Sequence, residues 1–199
     1  SSTPDAGYGP SPQPFFHYRE KGRLLSFLEV VFSPYGERQG KGSLSFVENT
    51  MSQTSPSARR KARRFPLPHL YQWQLAGAAV SDIEAQFLAN QDFAKVDREY
   101  FHDLLHGVLG QVKTLDELLT PYLDRRVEEL SQVEKAILRL GAFELKERQD
   151  VPYRVVINEG IELAKVFGAE DSFKYVNGVL DKLARQLRYA EASERRPRD

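Results

Sequence analysis

Apolar residues recur at intervals of three and four in the second half of the chain, which is the spacing of one face of an α-helix. Three such stripes are present, and each predicts a helix with one buried side; the first predicts a single long helix. They are Phe101, Leu104, Leu105, Val108, Val112, Leu115 and Leu119; Tyr153, Val156, Ile157, Gly160, Ile161 and Ala164; and Phe173, Val176, Leu180, Leu183 and Leu187. No window after residue 67 alternates like a strand. The pattern predicts an all-α bundle of about six or seven helices.

Two local signals mark where helices begin. Ser81 with Glu84, and Ser131 with Glu134, fit the capping box, in which the serine accepts from a free amide and the glutamate reaches back. Residues 133–145 are apolar around the whole helix instead of along one side. We therefore predict that this helix lies at the centre of the domain.

Composition divides the chain into four segments. Residues 1–57 are rich in Pro, Gly, Ser and Gln, so we predict a disordered extension, with Met51 as the functional start. Residues 58–66 form a basic arm, residues 67–190 a helical domain, and residues 191–199 a flexible tail.

Cysteine is absent from the chain, which excludes disulfides, thiolate metal sites and a cysteine nucleophile. A chain without cysteine fits a reducing compartment, and we expect a cytoplasmic location. The most apolar window, Leu24–Phe32, is shorter than the roughly 18 residues that a membrane-spanning helix needs. It also lacks the cleavage site of a signal peptide, so we predict neither feature.

The residues that could carry catalysis or bind a metal do not form a complete site. His102 and His106 are one helical turn apart, but the sequence places no third zinc ligand beside them, and two solvated histidines are expected. The glycines of residues 36–43 are spaced too closely for a phosphate-binding loop. No Gly-x-Ser-x-Gly motif occurs, and Glu128 and Glu129 are adjacent, so they point about 100° apart on a helix. We predict no enzyme activity, no metal and no cofactor.

The basic arm is the most informative polar segment. Five cations, Arg59, Arg60, Lys61, Arg63 and Arg64, fall within six residues. Such a run can neutralise phosphates and release counterions, which gives affinity for nucleic acid without sequence selectivity. A solvated tail is the alternative that the run alone leaves open.

An aromatic side chain in the last stripe adds a possible base contact. Tyr175 lies about 120° from the centre of its helix's apolar face, beside Lys174 and Asn177. Unpaired bases stack on exposed rings of this kind. Packing of the ring against a neighbouring helix is the alternative.

Several long strings in the chain are distinctive. The string VPYRVVINEGIELAKVFGAEDSFKYVNGVLDKLA, Val151–Ala184, is similar to the C-terminal signature of the NusB family. Shorter matches are LYQWQLAG at Leu70–Gly77, DREYFHDLLHGV at Asp97–Val108, PYLDR and VEKAILRLGAFEL. Together they span residues 58–188, and the first fifty residues have no counterpart.

The resemblance implies two small helical bundles packed together and no catalytic activity. Members bind a small-subunit ribosomal protein that acts as NusE, and the pair captures single-stranded boxA RNA. The complex then helps RNA polymerase, with other Nus factors, to read through terminators. Members occur as monomers and as homodimers, so a homodimer stays open for this chain.

The resemblance also implies roles for particular residues. The positions expected to bind RNA are Arg59, Arg60, Lys61, Arg63, Tyr71, Asp171 and Tyr175. The positions expected to face the protein partner are Tyr122, Glu128 and Glu134.

One departure from the family's pattern affects the arm. Pro66 and Pro68 stand where relatives carry helix-forming residues. Because each proline lacks an amide donor and favours extended geometry before it, we predict a first helix that begins near Pro68 and an arm that stays flexible.

Two other functions remain open. A NusB-like domain also precedes an RNA cytosine methyltransferase domain, which would make this chain a fragment of an enzyme. Alternatively, the chain is a protein-interaction scaffold whose basic arm is incidental.

Overall fold

The computed structural model describes residues 55–77 and 96–193 and, for the backbone alone, two short strands. The strands β1 (His17–Glu20) and β2 (Arg23–Ser26) pair antiparallel, with His17 opposite Ser26. They belong to the first of two units, Ser1–Glu37, and every helix described below belongs to the second, Arg38–Asp199. This hairpin was not predicted from the sequence.

The described part of the second unit is helical, which confirms the all-α prediction. Its eight α-helices are α1 (Pro56–Arg64), α2 (Pro66–Ala76), α3 (Arg98–Gly110), α4 (Val112–Leu119), α5 (Gln132–Glu147), α6 (Tyr153–Phe167), α7 (Ser172–Leu187) and α8 (Tyr189–Ser193). Two short 3₁₀ helices, Thr120–Tyr122 and Val127–Glu129, connect α4 to α5. None of these helices is long and apolar enough to cross a membrane.

Helix α5 is the central helix, as its apolar composition predicts. Residues 136–145 are all buried, and α5 packs against α2, α3, α4, α6 and α7. Helix α3 approaches it very closely at Gly107, where an added Cβ would lie 2.1 Å from Cζ of Phe143. The glycine therefore lets the two helices pack in direct contact.

The stripe from Phe101 to Leu119 is divided between two helices, although its spacing predicts one. Helix α3 ends at Gly110, and Gln111 has φ −124° and ψ 18°, which is not helical geometry. Helix α4 starts at Val112, and its Leu115 and Leu119 are buried. Apolar spacing survives such a short break, so the pattern alone does not reveal it.

The capping box at Ser131 and Glu134 is confirmed. The serine hydroxyl accepts from the Glu134 amide at 3.2 Å, and the Ser131 amide donates to the Glu134 carboxylate at 3.3 Å. The second predicted box, Ser81 with Glu84, lies outside the described residues.

Two buried arginines connect helices that are distant in sequence. Arg188, which follows α7, donates to the backbone carbonyls of Leu145 at 2.6 Å and Arg148 at 2.8 Å. It thereby satisfies acceptors at the C-terminus of α5 that the helix itself leaves open. Arg139 forms a two-pronged ion pair with Asp116, at 2.8 and 2.7 Å, and donates to Gln74 at 2.9 Å.

Candidate nucleic-acid interface

The basic arm is a helix, and the prediction that it stays flexible is wrong. Ser55 caps α1 by accepting from the Ala58 amide at 3.1 Å, and Pro56 occupies the first turn, where its missing amide costs nothing. Ala58 and Ala62, one turn apart, are buried against the body. Packing of this small-residue stripe holds the helix in place.

The two prolines separate α1 from α2 without extending the arm. Helix α2 begins at Pro66, two residues before the predicted start, so Pro66 and Pro68 both lie in its first turn. Amides at these positions have no intrahelical acceptor, which is why prolines are tolerated there. The arm therefore enters the domain through one turn residue, Phe65.

Two of the arm's cations lie along a groove between α1 and the start of α6. The Arg59 guanidinium is 3.1 Å from Asp150 and 3.7 Å from Asp97. The Arg60 guanidinium is 3.0 Å from Glu159, and 73% of its side chain is exposed. Both arginines are within reach of a ligand in solvent.

Arg63 occupies a different environment, because its side chain is buried in the core. Its guanidinium donates to Glu144 at 2.8 Å and to the Tyr100 hydroxyl at 3.0 Å. The Tyr100 hydroxyl also donates to Glu144, and the guanidinium of Arg148 stacks over the Tyr100 ring. Only 4% of the Arg63 side chain is exposed, so we omit it from the proposed RNA contacts.

Burial governs the ionisation of this core cluster. Desolvation raises the pKa of Glu144, and the neighbouring Arg63 opposes the rise. Burial, together with the Glu144 carboxylate, raises the pKa of Tyr100 as well. The tyrosine therefore remains a neutral donor, and Arg63 is the cation that balances the buried carboxylate.

The C-terminal end of α1 contacts the last residue of α6, which precedes the loop before α7. Arg64 lies over the ring of Phe167, at 5.4 Å from its centroid, and Phe167 is the last residue of α6. Four residues later, Asp171 is exposed and pairs with Lys174 at 2.7 Å. Asp171, one of the predicted RNA residues, thus follows a residue that contacts the arm, and Lys61 on the arm is half-buried.

Tyr175 is half-buried and has a cation against its ring. The Arg125 guanidinium lies 4.9 Å from the ring centroid, within the range of a cation–π interaction. Burial, followed by the Asp124 carboxylate, raises the pKa of the hydroxyl. A base that stacks on this ring must displace Arg125 or share the ring with it.

Tyr71 is the remaining aromatic residue of the predicted RNA set. It lies on α2 and is half-buried, and burial raises the pKa of its hydroxyl. Its hydroxyl is therefore neutral at physiological pH.

The three residues predicted to face a protein partner do not form one cluster. Tyr122 hydrogen-bonds to Gln186, whereas Glu134 accepts from Ser172 at 2.8 Å. These two contacts lie at opposite ends of α7, about 21 Å apart at 1.5 Å per residue. Glu128 is exposed in the 3₁₀ segment beside α5. A partner that meets both Tyr122 and Glu134 must therefore span about 21 Å of the surface.

The histidine pair carries no sign of a metal site. His102 and His106 are exposed, with ring centroids 4.1 Å apart. Among the described residues no group of three or more His, Cys, Asp or Glu side chains is arranged to hold a metal ion.

The carboxylates that face α1 were not predicted from the sequence. Asp150 is 91 residues from Arg59, and Glu159 is 99 residues from Arg60. No local pattern links residues at such separation, so only the packing of α1 on α6 reveals the pairs.

Comparisons with known proteins agree on one family. A family model described as "NusB family" matches residues 60–185. The chain is 96% identical over 146 residues to the transcription antitermination protein NusB of Alcanivorax borkumensis, a match that covers 73% of this chain and 97% of that relative. It is 59% identical over 133 residues to the protein of the same name from Pectobacterium carotovorum, a match that covers 67% of this chain and 96% of that relative.

Solved structures show the same likeness. A T. maritima NusB is 30% identical with a TM-score of 0.57, and the match covers 64% of this chain and 91% of that one. A crystal structure of antitermination factors NusB and NusE in complex with double-stranded RNA also has a TM-score of 0.57, at 26% identity. That match covers 66% of this chain and 99% of the matched chain.

Proposed function

The chain belongs to the NusB family, and on this premise we propose that it is a transcription antitermination factor without catalytic activity. It binds the boxA element of nascent ribosomal RNA as a heterodimer with the ribosomal protein that acts as NusE. The pair joins RNA polymerase and other Nus factors in the cytoplasm. This function is supported by the names of the relatives and by the solved complex of NusB, NusE and RNA.

The observation that carries the RNA-binding part is the placement of the arm. Helix α1 is held on the body through Ala58 and Ala62, and it presents Arg59 and Arg60 along one groove. Phosphate contacts of this kind position a nucleic acid but do not read its bases. Lys61 adds charge beside them.

Base contacts belong to the aromatic and polar residues near α7. In this proposal the Tyr175 ring stacks on an unpaired base, and Asp171 and Tyr71 contact the same strand. Stacking on aromatic rings tolerates many sequences, so selectivity for boxA requires hydrogen bonds to base edges as well. NusE, bound at Tyr122, Glu128 and Glu134, completes the site.

The experiment that tests this proposal is a binding titration of a labelled boxA RNA at two salt concentrations. The variant replaces Arg59, Arg60 and Lys61 by methionine, and the matched control replaces Arg185, an exposed cation paired with Asp181 on α7. We expect the triple variant to bind more weakly and its salt slope to fall by about 0.7 per lost phosphate contact. An unchanged slope would exclude the arm.

The same titration separates the two other functions. A scaffold that does not bind RNA would leave the boxA titration flat with and without NusE. A methyltransferase fragment would bind RNA without any enhancement by NusE.

A further inference from the structure

The exposed cations of α1 are already paired with carboxylates of the helical body. Arg59 contacts Asp150 and Asp97, and Arg60 contacts Glu159. Asp150, Glu159 and both arginines line one open groove together with Pro152 and Val155. A phosphate that approaches this groove therefore meets ion pairs instead of unpaired cations.

Solvent reaches both of these ion pairs. The Arg60 side chain is 73% exposed while Glu159 is only 13% exposed, so the cation lies outside and the carboxylate is fixed on α6. The Arg59 and Asp150 side chains are 32% and 46% exposed. Ion pairs at this level of exposure are weak because water screens them. The buried pair of Arg63 with Glu144 lacks this freedom.

We infer that Glu159 and Asp150 compete with RNA phosphates for Arg60 and Arg59, and so set the affinity and the salt dependence of the RNA face. The inference rests on the proposed function. Carboxylate and phosphate oxygens accept the same guanidinium donors, so one group must leave the arginine when the other binds. A carboxylate that remains in the groove also repels the phosphate.

Through this competition, the two carboxylates reduce the affinity of the groove for RNA. Each paired carboxylate cancels one positive charge that counterion release would otherwise use. Loss of one carboxylate adds one net positive charge to the groove without any new side chain. These acidic residues lower the affinity for non-specific RNA, so that base contacts and the protein partner determine which RNA is bound.

The test replaces Glu159 by glutamine, which keeps the shape of the side chain and removes its charge. We expect Glu159→Gln to bind boxA RNA about three- to tenfold more tightly at low salt, since one competing charge is lost. Its salt slope should be larger by about 0.7, the value for one added phosphate contact on a single strand. Asp150→Asn should act in the same direction, and because Asp150 also pairs with Arg148 at 2.9 Å, its gain should include the release of both arginines.

Two further variants show whether the effect passes through Arg60. The control Asp181→Asn removes a carboxylate paired with Arg185 within α7, and we expect unchanged affinity and slope. In the double variant Arg60→Met with Glu159→Gln, the gain from the glutamine should largely disappear. A gain of the same size with and without Arg60 would overturn competition for this arginine, because it would reflect general repulsion.

The outcomes separate this inference from the proposed function. If Arg60→Met weakens RNA binding but Glu159→Gln leaves it unchanged or weakens it, the competition is refuted while the RNA face stands. If neither variant alters RNA binding or its salt slope, the competition is refuted, and the triple variant of Arg59, Arg60 and Lys61 then decides whether the arm binds RNA. Denaturation curves for each variant confirm that the chain remains folded.

Discussion

Replacement of Arg63 by methionine gives a direct test of the buried cluster, because it removes the guanidinium and keeps most of the side-chain stem. The side chains of Arg63 and Glu144 are only 4% and 2% exposed, so the change leaves a carboxylate in the core with the Tyr100 hydroxyl as its remaining donor. Removal of one partner from a buried ion pair costs about 3–5 kcal/mol. We expect a loss of this size at pH 8.

The loss should depend on pH. The folded-state pKa of Glu144 is raised by burial, and removal of Arg63 takes away the interaction that opposes the rise. A carboxyl whose pKa is raised in the folded state contributes its stability below the unfolded pKa, and that contribution is lost as the pH rises through the folded value. The Arg63→Met variant should therefore be less destabilised at pH 5 than at pH 8.

Urea denaturation followed by circular dichroism at both pH values measures this difference. Arg60→Met is the matched control, and since its ion pair is exposed we expect a change of about 0–1 kcal/mol. The double variant Arg63→Met with Glu144→Gln should recover part of the stability, because a neutral amide needs no cation. A loss below about 1 kcal/mol for Arg63→Met at pH 8, or undiminished destabilisation at pH 5, would refute the reasoning.

Three further predictions concern other residues. Burial lowers the pKa of His69 to about 3, so its stabilising contribution is present above pH 6.5 and is lost as the pH falls. In the same denaturation assay, the free energy of unfolding of His69→Phe should therefore rise by about 2 kcal/mol relative to that of the parent between pH 7 and pH 5. Ser131→Ala removes the cap of α5 and should cost about 1 kcal/mol, and an unchanged urea midpoint would contradict the role of the cap. Tyr175→Ala should weaken binding to boxA RNA by about 1–3 kcal/mol, whereas equal affinity would exclude stacking on this ring.

The helices of the core could be predicted from sequence because their signals are local. Apolar stripes and the Ser131 capping box depend on residues within a few turns of each other, and both agree with the structure, except that the stripe from Phe101 to Leu119 is divided between two helices. The central position of α5 follows in the same way from residues 133–145, which are apolar on every side.

The arm could not be predicted in this way, because its structure depends on partners far along the chain. A run of five cations suggests a solvated segment, and the two prolines suggest an extended one. The stability of α1 comes from Ala58 and Ala62 packed on the body and from Arg63 paired with Glu144, which is 81 residues away. Asp150 and Glu159, the carboxylates opposite Arg59 and Arg60, could not be predicted for the same reason, since they are 91 and 99 residues from their partners.

The division of the RNA set also required the structure. Arg60 and Arg63 are three residues apart and chemically identical, yet one is mostly exposed and the other is in the core. A resemblance assigns both to the same motif, because a motif records residue types and not their environments. Burial therefore distinguishes the side chain that we propose contacts RNA from the one that holds the helix in place.

The central claim is that the folded chain and its ribosomal partner together capture boxA RNA through the α1 groove. Fluorescence anisotropy of labelled boxA RNA, titrated with the chain alone and with the chain plus NusE at two salt concentrations, measures this directly. The account predicts tighter binding with NusE, weaker binding at the higher salt, and a clear preference over a scrambled RNA of the same composition. Equal affinity for the two RNAs in the presence of NusE, or no binding by the pair, would contradict it.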